Sequence, residues 1–223
     1  MIGEILPPWV TAAEMFDDAP ADTLFPEEEP LIARAVEKRR REFITGRHCA
    51  RTALARLGVP PGPILRGDRG APQWPSGTIG SITHCSGYRA AAVATSTSGI
   101  TIGIDAEPDG PLPAGVLETV ASPEEIAALD RLRDGNPRVS WDRILFSAKE
   151  SVYKAWFPLT GRWLDFTEAT VDVDPSGRFT ATLLISDPRM GTDRLTGRWI
   201  VADGLLATAI ALPRVVPEHD RSA

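Results

Sequence analysis

Residues 100–108 read Ile100-Thr101-Ile102-Gly103-Ile104-Asp105-Ala106-Glu107-Pro108, and few stretches of this chain leave so little choice of structure. Ile100, Ile102 and Ile104 alternate with small residues, the period of two expected of a buried strand. Pro108 cannot donate to a ladder, so pairing is expected to stop there. Residues i and i+2 of a strand point the same way. Asp105 and Glu107 therefore stand side by side at the strand's end. Two carboxylates that close raise each other's proton affinity unless a cation lies between them. Their hard oxygens suit magnesium or manganese better than zinc. Taken alone, a D-x-E at a strand end is more often a pair of solvated acids, so the rest of the chain must decide.

The bulk properties narrow the classes. A chain of 223 residues can bury a sizeable core, as one domain or two small ones. No apolar run approaches the roughly 20 residues needed to cross a bilayer. The N-terminus lacks the basic-then-apolar order of a secretory signal. A cytoplasmic protein without a membrane partner is expected. Cys49 and Cys85 are the only cysteines and have no zinc spacing, which suits a reducing compartment. The net charge of −6 argues against a general nucleic-acid binder. An anionic ligand would need a local basic cluster.

Such a cluster lies upstream. Residues 1–28 read as an extended lead-in with a few apolar anchors, and about 29–57 as helix, with Gly58 as C-cap. Gly46 marks either a break or a close contact. The helix carries Lys38, Arg39, Arg40, Arg41, Arg47, Arg51 and Arg56. Most read as a solvated face. Arg47 sits beside the apolar stripe of Phe43, Ala50, Ala53 and Leu54, so its head is expected in a groove, and its planar fork suits phosphate. The loop Arg66-Gly67-Asp68-Arg69-Gly70 offers amides and two guanidiniums to an anion, although such a run is more often an ordinary turn.

Residues 79–83 and 89–95 read as a hairpin around Ser86-Gly87, with the strand ending in Asp105 as its third member and His84 at the rim. A Pro/Gly-rich link at 109–121 leads to a helix capped by Ser122-Pro123. A further helix is expected from about Ser140 to Trp156. Its apolar stripe is Trp141, Ile144, Leu145, Ala148, Val152, Ala155 and Trp156. Glu150 and Lys154 stand one turn apart on the other side, a spacing that by itself signifies an ion pair worth a few tenths of a kcal/mol. Hairpins follow at 169–174/178–185 and 197–202/205–211, then a tail from Pro213. Each half runs helices first and antiparallel strands second. The expected fold is α+β, with two similar, pseudo-twofold-related lobes, each packing helices on a small antiparallel sheet. The expected division is 1–108 and 109–223, with a cleft between.

Three blocks then combine: Gly103-Ile104-Asp105-Ala106-Glu107; Phe146-Ser147-Ala148-Lys149-Glu150-Ser151-Val152-Tyr153-Lys154; and Gly80-Ser81-Ile82-Thr83-His84-Cys85. Together they resemble the 4′-phosphopantetheinyl transferases of the Sfp/EntD type, whose signature joins a G-I-D-x-E strand to a K-E-S/A-x-x-K helix. Gly46-Arg47-His48-Cys49-Ala50-Arg51 and Trp74-Pro75 resemble the EntD-like actinobacterial branch. The resemblance spans roughly residues 30–212.

It implies transfer of the phosphopantetheine arm of coenzyme A to a serine of an apo acyl or peptidyl carrier protein, releasing 3′,5′-ADP. It also implies a magnesium ion, with manganese as substitute, and a monomer. By position it makes Asp105, Glu107, Glu150 and the Ala106 carbonyl metal ligands. Lys154 would contact the pyrophosphate, and Lys149 matches the neighbouring family lysine. Thr83, His84 and Arg47 would hold the 3′-phosphate. The alignment favours Arg39 as their helper, while helix geometry favours Arg40. Arg66, Gly67, Asp68 and Arg69 would line the nucleotide, and Leu164 the pantetheine channel. Catalysis would fall to Asp105, Lys154 and Glu150, the last as ligand, base or both. The rival readings are a magnesium-dependent phosphohydrolase and a non-catalytic coenzyme A or carrier-binding module.

Overall fold

Two antiparallel sheets meet edge to edge, and the acidic strand forms the seam. In the computed structural model, which describes residues 1–20 and 23–214, the first sheet holds β1 (Thr11–Met15), β2 (Thr78–Cys85) and β3 (Tyr88–Thr95) in the order β1-β3-β2. The second holds β4 (Gly99–Pro108), β5 (Ala169–Asp174), β6 (Arg178–Leu183), β7 (Arg194–Ala202) and β8 (Leu205–Pro213) in the order β4-β8-β7-β6-β5.

This corrects the expected partner of the acidic strand. β4 does not join the β2–β3 hairpin; it pairs with β8 from Gly99↔Pro213 to Pro108↔Leu205. The third place beside β3 goes to β1, drawn from the lead-in. The reason lies in the free edge of β2, where alternate residues carry hydroxyls. Ser81 Oγ accepts the Ile104 amide at 3.1 Å, and Thr83 Oγ1 accepts the Ala106 amide at 2.9 Å. Side-chain oxygens satisfy the outer amides of β4 where a backbone ladder would have run.

Helix α1 (Glu37–Arg56) is one unbroken helix that passes straight through Gly46. A Cβ at Gly46 would lie 3.1 Å from Ile82 Cγ2, so this glycine marks a close contact and not a break. Residues Glu29–Ile32 form a separate 3₁₀ turn. Cys49, Ala50, Ala53 and Leu54 pack on Ala91 and Val93 of β3. After the short α2 (Leu117–Val120), Ser122 and Glu125 close a capping box on α3 (Pro123–Gly135). Helix α4 (Trp141–Thr160) runs past its expected end at Trp156 and stops at Gly161, whose φ is +62°. Its expected stripe is buried against Val171, Phe179, Leu195 and Ile210. Each large side chain so buried contributes about 1.5–3 kcal/mol.

Both C-terminal hairpins form. Asp203 and Gly204 take φ of +52° and +74°, the type I′ geometry that joins β7 to β8. The second half runs helices first and strands second, as expected, whereas in the first half β1 precedes α1. Pro213 closes β8, and residues 215–223 of the expected tail lie outside the described residues. No described helix is long and apolar enough to cross a membrane.

Candidate active site

Asp105 sits at the centre of the seam, only 5% exposed, with both oxygens engaged. Lys154 Nζ donates to Oδ1 at 2.7 Å and Thr83 Oγ1 reaches the same atom at 3.3 Å. Ser147 Oγ donates to Oδ2 at 2.8 Å. Behind it, Thr208 Oγ1 lies 3.0 Å from Ser147 Oγ and 2.6 Å from Ser151 Oγ. A buried ion pair is tolerated where hydroxyls satisfy its remaining lone pairs, and this one is so surrounded. Lys154 thus pairs across the seam with β4. The i, i+4 pair with Glu150, expected of an ordinary helix surface, is not what engages it.

Three cavities of about 200, 190 and 120 Å³ follow one another in a row through shared lining residues, the first two at the seam and the third between α4 and residues 163–169. The first is lined by Arg39, Arg47, Arg66, Thr83 and His84; it shares Lys154 with the second. The second shares Glu150 and Tyr153 with the third, which Leu164 and Trp163 line. None alone is large enough for an extended ligand. In sequence they offer cations, then a lysine, then a carboxyl, then an apolar channel.

The first cavity is crowded with positive charge. Arg47 is 5% exposed, its Nε donating to the Ile64 carbonyl at 2.8 Å. The Phe43 ring lies 4.3 Å from the Arg47 guanidinium carbon and 5.2 Å from that of Arg66. Burial pushes Arg47 down to about 10, with Arg66, Arg51 and Arg39 adding to it against Glu28. Burial also lowers Arg66, with Arg39 next. Cations that depress one another mark a place prepared for an anion. Arg51 is otherwise occupied, its Nη1 donating to both Glu28 oxygens at 2.9 and 3.0 Å.

His84 is pushed down to about 4, first by burial and then by Arg39. Arg39 Nη1 points at its Nε2, and Glu42 Oε2 lies 3.5 Å from its Nδ1. Arg40 turns away to the Ile32 carbonyl at 3.0 Å. Of the two arginines left open by the sequence, Arg39 is the one the fold brings to the cavity. Its long stem reaches from α1 across to His84 on β2.

At the other end, Glu107 Oε2 accepts from Arg143 Nη1 at 3.0 Å. Burial raises Glu107, and the charge of Asp105 raises it further against Arg143. Glu150 is also raised by burial, with Asp105 adding and Lys154 opposing. Among the described residues no three His, Cys, Asp or Glu groups are placed to hold a metal ion. The donors are nonetheless hard oxygens, and Glu107 and Glu150 are raised first by burial, with the charge of Asp105 adding to it. That chemistry fits a divalent cation, once Lys154 and Arg143 yield the oxygens they hold.

Other expected residues lie at the margins of these cavities or outside them, with Lys149 in the lining of the third. Gly67 and Asp68 face a separate groove with Gln73 and Trp74, while Arg69 lines the second cavity and stacks over Trp163 at 5.1 Å. Arg69 holds a left-handed φ of +51° to do so. Lys149 is buried, donating to Glu125 at 2.8 Å and to the Phe166 carbonyl at 2.9 Å. Ala106 packs its methyl into the core. Both cysteines are free, with thiols pushed up by burial to about 11 (Cys49) and about 12 (Cys85), so neither serves as a nucleophile at neutral pH.

The sequence reading missed Arg143, Ser147 and Ser151. They fall with Lys154 at i, i+4, i+8 and i+11 along α4, a polar stripe beside the apolar one. That spacing was available as a signal. Glu42 and Thr208 gave none, since their value depends on His84 and Ser147 arriving from distant elements.

A family model described as the 4′-phosphopantetheinyl transferase superfamily matches residues 101–202, and one for the 4′-phosphopantetheinyl transferase N-terminal domain matches residues 27–94. The chain is 54% identical to the 4′-phosphopantetheinyl transferase Svp of Streptomyces mobaraensis, covering 100% of this chain and 94% of that protein. It is 50% identical to the 4′-phosphopantetheinyl transferase PptT of Mycobacterium tuberculosis, covering 95% and 98%. It is also 31% identical to enterobactin synthase component D of Salmonella typhimurium, covering 91% and 84%.

Proposed function

The chain belongs to the 4′-phosphopantetheinyl transferase superfamily, and from that premise we propose how its seam carries out the transfer. It is a transferase that moves phosphopantetheine to carrier proteins. The observation that carries the residue assignment is the row of three cavities. Coenzyme A has a 3′-phosphate, a pyrophosphate and a long thin arm in that order, and the row offers partners in the same order.

Arg39, Arg47, Arg66 and His84 receive the 3′-phosphate, and Arg69 lines the path of the nucleotide. Thr83 supports them from the seam, where its hydroxyl is committed to Asp105 and Ala106. Lys154, at the junction of the first two cavities, receives the pyrophosphate. Leu164 and Trp163 line the arm's channel. Glu150, at the junction of the second and third, faces the reacting phosphorus.

The carrier's serine oxygen attacks the β-phosphorus, forming a P–O bond. The bond to the bridging oxygen breaks, and that oxygen leaves with the electron pair on 3′,5′-ADP. Glu150 takes the serine proton. Lys154 neutralises charge on the leaving phosphate. Asp105, Glu107, Glu150 and the Ala106 carbonyl are the ligands we assign to magnesium or manganese. Such an ion, when bound, would supply further positive charge to the phosphate oxygens. The protein acts as a cytoplasmic monomer in this reading.

The test is to incubate the protein with coenzyme A, magnesium and an apo carrier, then weigh the carrier. A gain of one phosphopantetheine supports the reading. Hydrolysed coenzyme A with an unmodified carrier would point to a phosphohydrolase, and neither product to a binding module.

A further inference from the structure

The first cavity contains one residue that an anion site should exclude. Glu42 on α1 lines it, 8% exposed, among Arg39, Arg47, Arg66 and His84. A carboxylate there repels a phosphate, so its presence calls for a compensating task. Its contacts indicate one. Glu42 Oε2 lies 3.4 Å from Arg39 Nη1 and 3.5 Å from His84 Nδ1, and Arg39 Nη1 in turn points at His84 Nε2. The three side chains close a triangle. Lys38 stands 4.0 Å from the other Glu42 oxygen and is largely exposed.

The triangle fixes a hydrogen. A guanidinium only donates, so the His84 nitrogen facing Arg39 must offer its lone pair. The ring hydrogen then sits on Nδ1, where it faces a group that only accepts. Glu42 thus selects the imidazole tautomer and the ring orientation, as carboxylates do for ligating histidines elsewhere. It also holds Arg39 in the cavity, where the exposed end of α1 would otherwise let that long side chain disperse into solvent. The arginine next to it shows the alternative, since Arg40 leaves for the Ile32 carbonyl.

We infer that Glu42 is a positioning residue that gives this cavity its preference for a 3′-phosphate over a free 3′-hydroxyl. It holds Arg39 and His84 in a preset arrangement that a phosphate can enter and a hydroxyl cannot reward. This rests on the reading of the first cavity as the 3′-phosphate site. The opposite expectation is a plain Coulomb one: an acid near a phosphate weakens binding, and removing it improves binding.

The experiment compares coenzyme A with 3′-dephospho-coenzyme A as substrates for wild type, Glu42→Gln and Glu42→Asp. Wild type should prefer coenzyme A; equal kcat/KM for both would remove the 3′-phosphate reading itself. Given that preference, Glu42→Gln should lower the ratio at least about tenfold, the worth of one charge-assisted hydrogen bond. The loss should fall on the KM for coenzyme A, with partial recovery in Glu42→Asp. An unchanged ratio, or tighter coenzyme A binding, would overturn the inference while leaving the site reading intact. A second test needs no variant: ¹⁵N spectra of the imidazole in the free wild-type protein. They should show His84 with hydrogen on Nδ1, and hydrogen on Nε2 would overturn the inference as well.

Discussion

Gly103 offers the sharpest test of how the seam is built. It lies on β4 where α4 crosses. A Cβ there would stand 2.0 Å from the Ser151 carbonyl oxygen, 2.7 Å from the Ala155 nitrogen and 3.0 Å from Ala155 Cβ. Two of these atoms are helix backbone and cannot rotate aside. Bringing the Ser151 oxygen out to an ordinary contact near 3.4 Å requires α4 to withdraw by roughly 1.4 Å. The same helix holds Asp105 through Ser147 at 2.8 Å and Lys154 at 2.7 Å, and accepts from Thr101 Oγ1 at the Ala155 carbonyl, also at 2.7 Å. Withdrawal of that size carries all three past hydrogen-bonding distance.

Overpacking costs about 1–3 kcal/mol, and each lost bond about 1 kcal/mol or more where a charge is involved. With partial relaxation, Gly103→Ala should lose on the order of 4–5 kcal/mol, a large share of a domain's usual stability. Urea unfolding followed by circular dichroism reads the stability, and the mass gain of an apo carrier reads transfer. Both should fall together. A variant with a wild-type midpoint and wild-type transfer would show that α4 does not need this glycine, and the account of the seam would fail.

Three further outcomes follow from the site. Lys149→Met should cost about 3–5 kcal/mol by stranding Glu125 in the interior, read by urea unfolding; a variant with wild-type stability would show that the pair does not hold the fold. His84 has a folded pKa near 4 against 6.5 for the free side chain, so between those values the unfolded chain binds its proton first and stability falls as pH falls. His84→Gln should flatten that part of the stability curve, and matching curves for the two proteins would show that the fold does not hold His84 neutral. Chelation with EDTA should abolish transfer and added magnesium restore it, whereas transfer surviving in EDTA would remove the proposed ion.

Much of this was legible because it depends on local pattern. The period-two run before Asp105, the Ser122 cap, the stripe of α4 and the Asp203-Gly204 turn are each written in a few adjacent residues. The partner of β4 was not legible in the same way. Strand order depends on which edges find acceptors, and the hydroxyls of Ser81 and Thr83 look alike from sequence whether they face water or another strand. The basic helix shows the same limit. Its seven cations were countable, but their division was not: Arg39 reaches His84, Arg40 the Ile32 carbonyl, Arg41 Glu37, and Arg51 Glu28. Only the side chains that return to other elements separate a binding face from a solvated one.

The seam also explains why the acidic motif and the hydroxyl strand belong together. Thr83 has one hydrogen to donate, and it goes to Asp105, while its lone pair takes the Ala106 amide. Docking the two sheets and aiming the carboxylate are therefore accomplished by one hydroxyl. Ser147 does the equivalent from α4, meeting Asp105 on one side and the Thr208 hydroxyl of β8 on the other. Asp105 is thus oriented by residues from both sheets and the helix, and it lies where all three must already be packed. A site built this way is assembled only by the complete fold, because no single element carries enough of it to hold the carboxylate in place alone.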